Sequence, residues 1–473
     1  MKSVLLGNGI NIQFGGKAYT SDFILKRIKF KAKLGFYDDL FQHTITGNEL
    51  LNIFNGLSNI ANDIIKGDCN IYEADTETID AMNDFKKRYP QKINKLHEIM
   101  LEDWFFLLHI FFLQNYDLKS IANTAKQGFE RIILDSIFNS GKVQDIYHNI
   151  NKNVKKFMCN FDNIFTLNYD NNIEKLTKKN VYHLHGDFSE LMNSENPKNV
   201  LGFIREMNNA RVITPGMEHC FCTALLNYSG NKKYVTAKNN HKLIIESKKY
   251  LLDSKSNSNF MNTLKTFKQT NLDFYNFITT YINNPNLMPA TEYYFDLFEN
   301  IEDELSIIGL SPNNDNHIFN CILKNPKIKK VYFYYLSNED KDFIEKKYDK
   351  SIFECKSVTE LWNTLKCNNK QYNIKLSTPR DIDKFITAFN TLSDDVTSKD
   401  RILNEAKSIP QFEVARLCKL VKADMLKNKG FDTPKNEDEL LKSFHSISYI
   451  ALQEGILPST LYLLCIMNYS LLK

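Results

Sequence analysis

Two hydrophobic rhythms divide the chain. Short unbroken apolar runs at Ser3 to Leu6, Ile164 to Leu167, Val181 to Leu184, Glu304 to Gly309, Lys329 to Leu336 and Ser351 to Glu354 are rich in β-branched and aromatic residues. Each stops at glycine or polar residues, which is the signature of a buried strand. Between them, apolar residues recur at threes and fours in Leu50 to Ile65, Ile93 to Leu113 and Ile121 to Ile137, predicting amphipathic helices. Val200-Leu201-Gly202 predicts one further short strand, and 205 to 284 is polar and compatible with helix. Strands that alternate with helices imply a parallel sheet with right-handed crossovers. After a short polar linker at Cys367 to Gln371 the strand signal ends, and Asp381 to Leu392, Phe412 to Lys427, Asp438 to Gln453 and Ser459 to Leu472 read as helices. The expected fold class is therefore α/β, a Rossmann-like parallel sheet with large helical insertions, followed by an all-α C-terminal domain. Its divisions are 1–367 and 368–473, with insertions at about 24–160 and 205–300. The first insertion is long enough to cap the sheet, and the C-terminal helices suit self-association or a partner.

Composition narrows the function classes. A chain of 473 residues can bury one large core and a smaller module, and a net charge of +4 over that length gives no basic surface for nucleic acid. The Lys-rich stretch from Lys232 to Lys268 is expected to be a solvated face. Nine scattered cysteines, an odd number without framework spacing, read as reduced thiols and a cytoplasmic protein. Trp104 to Leu113 and Leu461 to Met467 fall short of the roughly 20 apolar residues a membrane span needs, so both read as buried helices and no membrane partner is expected. The aromatics from Trp104 to Phe112 are expected in the core, and His97 and His109 as structural histidines. His219-Cys220-Phe221-Cys222 has no second Cys/His pair at zinc spacing, so neither zinc nor another metal is expected.

Candidate chemistry gathers where the strands end. Gly7-Asn8-Gly9 directly follows the first run, the position at which glycines let backbone approach a pyrophosphate. The second run ends in Asn168-Tyr169-Asp170 and the third in His185-Gly186-Asp187. Ligands of open α/β sheets bind outside the carboxyl ends of the strands, where Asn168, Asp170 and His185 would emerge together. An amide, a carboxylate and an imidazole at one crevice can orient a ribose, hold a water and accept a proton.

Thr166-Leu167-Asn168-Tyr169-Asp170 followed by Leu184-His185-Gly186-Asp187 resembles the SIR2-like family, whose sirtuin members carry T-Q-N-I-D and then a catalytic H-G. Gly7-Asn8-Gly9-Ile10-Asn11, with the later Gly15, Gly16, Tyr19 and Phe23, is similar to the abortive-infection AbiH group, and departs from it at Asn11, where the group usually has Asp. The resemblance implies a SIR2-type fold and cleavage of NAD+ as substrate, with no separate cofactor. Asn168, His185 and Asp170 would be the catalytic residues, and Gly7, Asn8, Gly9, Asn11, Thr166, Gly309, Ser311 and Asp315 would contact the dinucleotide, Gly309 and Ser311 at its adenosine half. It also implies an antiphage effector, a homo-oligomer, and a protein partner or phage trigger. The four-cysteine zinc module of protein-deacylating sirtuins is missing, which argues against deacylation. A non-catalytic NAD+ or ADP-ribose sensor that controls assembly is the alternative.

Overall fold

The computed structural model describes residues 1–41, 45–71, 75–189, 216–220, 222–227, 229–254, 256–283, 291–312, 315–349, 351–367, 386, 397–429, 443–468 and 471–472. The predicted strand at 200–202 and the predicted helix at 381–392, Ile386 apart, lie outside them.

Six strands form one all-parallel sheet: β1 (Lys2–Leu6), β2 (Asn163–Thr166), β3 (Tyr182–His183), β4 (Asp303–Ile308), β5 (Ile328–Tyr335) and β6 (Phe353–Ser357). Their order is β3-β2-β1-β4-β5-β6, the doubly wound arrangement. The sixth strand is expected at 351–354 and lies a few residues later, at 353–357, where Phe353 is the first buried side chain.

Continuous apolar runs mark strands covered on both faces, and the alternation within them assigns each residue to a face. Val4, Leu6, Ile164 and Ile308 pack on one side with Ile10, Met158, Ile173 and Trp362. Leu5, Phe165, Leu305, Ile307 and Phe333 pack on the other with Ile318 and Phe319.

Helices α1 (Gly9–Gly15), α2 (Ser21–Lys33), α3 (Gly47–Lys66), α4 (Thr76–Arg88), α5 (Asp103–Gln114), α6 (Ala122–Phe138) and α7 (Lys152–Cys159) lie between β1 and β2, and α8 (Asn172–Thr177) joins β2 to β3. α3 shows why such segments are helical: Thr46 and Glu49 form a capping box at its start, and Gly67 ends it in the left-handed conformation. The insertion has its own core, in which Trp104 meets Phe54 with ring centroids 5.1 Å apart, so the aromatic run is packing as expected.

Between β3 and β4 stand α9 (Gly230–Ser254), α10 (Ser258–Thr270), α11 (Leu272–Asn283) and α12 (Phe295–Phe298). α13 (Asn316–Lys324), α14 (Asn338–Lys347) and α15 (Val358–Thr364) then follow the last three strands.

The C-terminal helices α16 (Lys399–Ser408), α17 (Gln411–Lys429), α18 (Phe444–Glu454) and α19 (Pro458–Met467) share a separate apolar core. They dock on the first insertion through Arg27 of α2. This guanidinium is 3% exposed and donates from Nε to Ser136 O and from Nη1 to Leu452 O, both at 3.0 Å. Those carbonyls lie in the last turns of α6 and α18, so one cation serves two helix C-termini at once. Asn139 Nδ2 adds a bond to Gln453 O at 2.9 Å, and Lys142 pairs with Glu454. Arg27→Ala would leave two buried carbonyls without that donor and is expected to lower stability by about 3 kcal/mol, read from the urea midpoint. Arg27→Lys, which lacks the fork, should recover only part of it.

Among the described residues no single helix is long and apolar enough to cross a membrane. The bent pair α18 and α19, crossing at 116°, is sufficiently apolar in composition, but its side chains fill the C-terminal core.

Candidate active site

Register aligns the carboxyl ends of the strands. Leu6 stands opposite both Thr166 and Ile308, and Thr166 stands opposite His183. The residues that follow, from Gly7, Leu167, Leu184 and Gly309, therefore leave the sheet along one edge, where the strand order reverses about β1. A cavity of about 590 Å³ opens there. Gly7, Asn8, Gly9, Asn11, Asn168, Asp170, His185, Gly309, Ser311 and Asp315 all line it, so ten of the eleven expected site residues share one space.

Thr166 is the exception. It is absent from the cavity wall, and its hydroxyl donates to Leu6 O at 3.3 Å and accepts from Asn168 N at 3.1 Å. It ties β2 to β1 and fixes the turn that presents Asn168.

The glycine turn is built differently from its expected use. Gly7 N–H donates to Ile308 O and Gly9 N–H to Gly309 O, both at 2.9 Å, so neither amide is left for a phosphate. A Cβ on Gly7 would lie 2.5 Å from Gly309 O, and one on Gly9 2.5 Å from Gly309 Cα. These glycines let the turns after β1 and β4 touch, and that contact forms the floor of the crevice.

Asn168 donates from Nδ2 to Gly7 O at 3.2 Å, which leaves Oδ1 as the end of the amide turned to a ligand. Behind it, His183 contacts Asn168 O through Nδ1 at 2.9 Å and Glu174 Oε1 through Nε2 at 2.5 Å. Burial opposes charge on His183, but Glu174 outweighs it and lifts the imidazole to about 9. Both ring nitrogens then donate, and the imidazolium holds Asn168 in place. The unfolded value is near 6.5, so this stabilisation is complete below about pH 6.5 and is lost as the pH rises through about 9. Glu174→Gln should cost about 2 to 3 kcal/mol at pH 7 and flatten the fall in thermal midpoint between pH 7 and pH 10.

Asp170 is buried and accepts from Asn11 Nδ2 at 2.6 Å, from Asn172 Nδ2 at 2.6 Å and from Asn172 N at 3.1 Å. Burial pushes its carboxyl upward against those bonds. Its geometry is that of a bracket between the turn after β2 and α1. Asn11 keeps Oδ1 buried without a partner, beside the cavity.

His185 Nε2 lies 3.0 Å from His317 Nε2, and each residue is 3% exposed. Burial, the charge of Lys233 and the neighbouring imidazole hold His185 well below its ordinary value; burial and Lys233 lower His317 to about 3. Both rings are neutral across the physiological range. Burial raises Asp315 to about 7, and its side chain makes no capping bond to α13 although it stands at the cap position. Asp315 stands beside His185: ligand atoms of Asp315, His185 and His317 all lie within 4.8 Å of one another.

Both helical insertions add to the wall. Arg88 grips Asp103 through two bonds of 2.6 and 2.9 Å, and Lys233 Nζ meets Glu102 Oε1 at 3.1 Å. Lys233 is 2% exposed, which corrects the expectation that the Lys-rich stretch is uniformly a solvated face. His317, His183 and Lys233 were not singled out from sequence. His317 had a local signal, an imidazole two residues beyond Asp315, whereas Lys233 sits inside a lysine run that hides it.

His219 and Cys220 are engaged elsewhere, His219 Nε2 with Asp135 Oδ1 at 3.1 Å and Cys220 Sγ with Arg131 O at 3.3 Å. No family model, no curated protein and no solved structure matches the chain.

Proposed function

We propose that the chain is an NAD+ glycohydrolase of the SIR2-like type that cleaves the nicotinamide-ribose bond to give nicotinamide and ADP-ribose. The observation that carries this reading is the convergence of Asn168 and His185 on one cavity at the switch point of the sheet, beside the Gly7–Gly9 turn. A crevice of about 590 Å³ suits a ligand of dinucleotide size. Loss of nicotinamide leaves an oxocarbenium-like ribose, which Asn168 Oδ1 orients together with the attacking water. The neutral His185 accepts the water's proton. So electrophilic a carbon needs little help from the base, which tolerates an imidazole of depressed basicity. Asp170 acts from behind, by fixing the turn.

An abortive-infection effector working in the cytoplasm, as an oligomer released by a phage trigger or partner, is the role that accompanies this chemistry. The nine cysteines are all free thiols, in keeping with that compartment.

Mass spectrometry of products after incubation with NAD+ tests the reading. Nicotinamide and ADP-ribose should form, and Asn168→Ala and His185→Ala should each slow release by about 100-fold or more. No product with bound NAD+ in calorimetry would replace the enzyme with a nucleotide sensor. One observation favours that second reading: His185 Nε2 already faces His317 Nε2, so the lone pair a base needs has a protein partner in the ligand-free state.

A further inference from the structure

His185 and His317 come from segments 132 residues apart, the end of β3 and the first turn of α13, yet their Nε2 atoms face each other at 3.0 Å. As a hydrogen-bonded pair the two rings share one hydrogen; with the hydrogens on the two Nδ1 atoms instead, both Nε2 atoms offer lone pairs to an ion.

Two imidazole nitrogens and a carboxylate oxygen are a ligand set for first-row divalent cations. Ligands about 2.1 Å from one ion and about 90 to 110° apart stand about 3.0 to 3.4 Å from each other. The two Nε2 atoms have that separation, and because the rings meet nearly head to head, with centroids 5.2 Å apart, each imidazole must turn to aim its lone pair at a shared ion. The Asp315 oxygen completes the group within 4.8 Å, and with no capping bond to hold it, a rotation of its side chain closes the set. All three residues line the cavity. The ammonium of Lys233 is paired with Glu102, so its repulsion is partly offset.

We propose that His185, Asp315 and His317 bind one divalent transition-metal ion of the zinc or cobalt class on the wall of the cavity. The ion takes the Nε2 lone pair that His185 would otherwise offer to a proton. If the chain cleaves NAD+ through His185, a consequence that rests on the preceding reading, Zn²⁺ slows nicotinamide release and a chelator restores it.

The full chain, stripped with chelator and dialysed, is titrated with Co²⁺ by visible absorption and with Zn²⁺ by calorimetry. One ion per chain is expected, with d–d bands and without a thiolate-to-cobalt band in the near ultraviolet. His317→Ala and Asp315→Asn should weaken binding by about tenfold or more. Asp315→Asn keeps the side chain's shape, and an unchanged circular dichroism spectrum and thermal midpoint separate ligand loss from misfolding. Absence of binding, a thiolate band, or equal affinity in the folded variants overturns the site. Metal binding without NAD+ cleavage sinks only the hydrolase reading, and cleavage without metal binding sinks only this one.

Discussion

Gly9→Ala is expected to destabilise the chain by about 2 to 4 kcal/mol and, on the proposed function, to abolish NAD+ binding in whatever folds. Gly9 opens α1 with ordinary helical backbone, so alanine is not opposed by the conformation it must adopt; in a helix alanine is favoured over glycine by about 1 kcal/mol. The loss is wholly steric. The added Cβ would lie 2.5 Å from Gly309 Cα and 3.0 Å from Gly309 O, and both are backbone atoms of a turn that cannot step aside alone. Gly309 is itself held by its carbonyl bond from Gly9 N–H and by a left-handed φ of 76°. The two turns must part, and with them the floor on which Asn168 and Ser311 stand. Gly56→Ala in α3 is the control: nothing lies within 4 Å of its added Cβ, and it should stabilise by about 0.5 to 1 kcal/mol. Urea midpoints of the two variants should move in opposite directions. If both moved upward, the contact between the turns would not be the reason for glycine at position 9.

Most of the sheet was legible because a strand buried on both faces has to be apolar at every position, and such runs stand out from the helical spacing around them. Each run ends in polar residues at its carboxyl end, and that is how Asn168, Asp170 and His185 could be expected at one edge. What local pattern does not carry is the identity of a partner far along the chain. Gly7 and Gly9 were visible as a turn, but their reason, the backbone after β4, lies 300 residues away. His317 completes the pair with His185 only because β3 and β4 flank the same crevice from opposite sides of β1 and β2. Thr166 is suggested by its place in the T-x-N-x-D motif; its hydroxyl is engaged by Leu6 O on the neighbouring strand and by Asn168 N, so what it does is hold the turn, a role that depends on a strand 160 residues away.

Asp170→Ala should cost about 3 to 5 kcal/mol of stability, more than an exposed catalytic carboxylate would, and that difference decides what Asp170 does. The side chain accepts three hydrogen bonds from groups that have few alternatives. Asn172 Nδ2 is also tied to Val143 O at 2.7 Å, and Asn11 already has an unpartnered Oδ1. Removing the carboxylate frees the turn after β2 from α1 and leaves buried donors unsatisfied. Asp170→Asn should fall in between, at about 2 kcal/mol, because its amide end would meet a donor now 2.6 Å away. The same geometry accounts for the amide at position 11: a carboxylate in Asn11→Asp would face Asp170 at hydrogen-bond distance, and one of the two would have to take up a proton. The exchange Asn11→Asp with Asp170→Asn restores a donor and an acceptor across that gap, so the double variant should be more stable than the sum of the single losses, by about 1 to 2 kcal/mol in a double-mutant cycle. Catalytic loss in Asp170→Ala with an unchanged urea midpoint would instead put this carboxylate on the substrate.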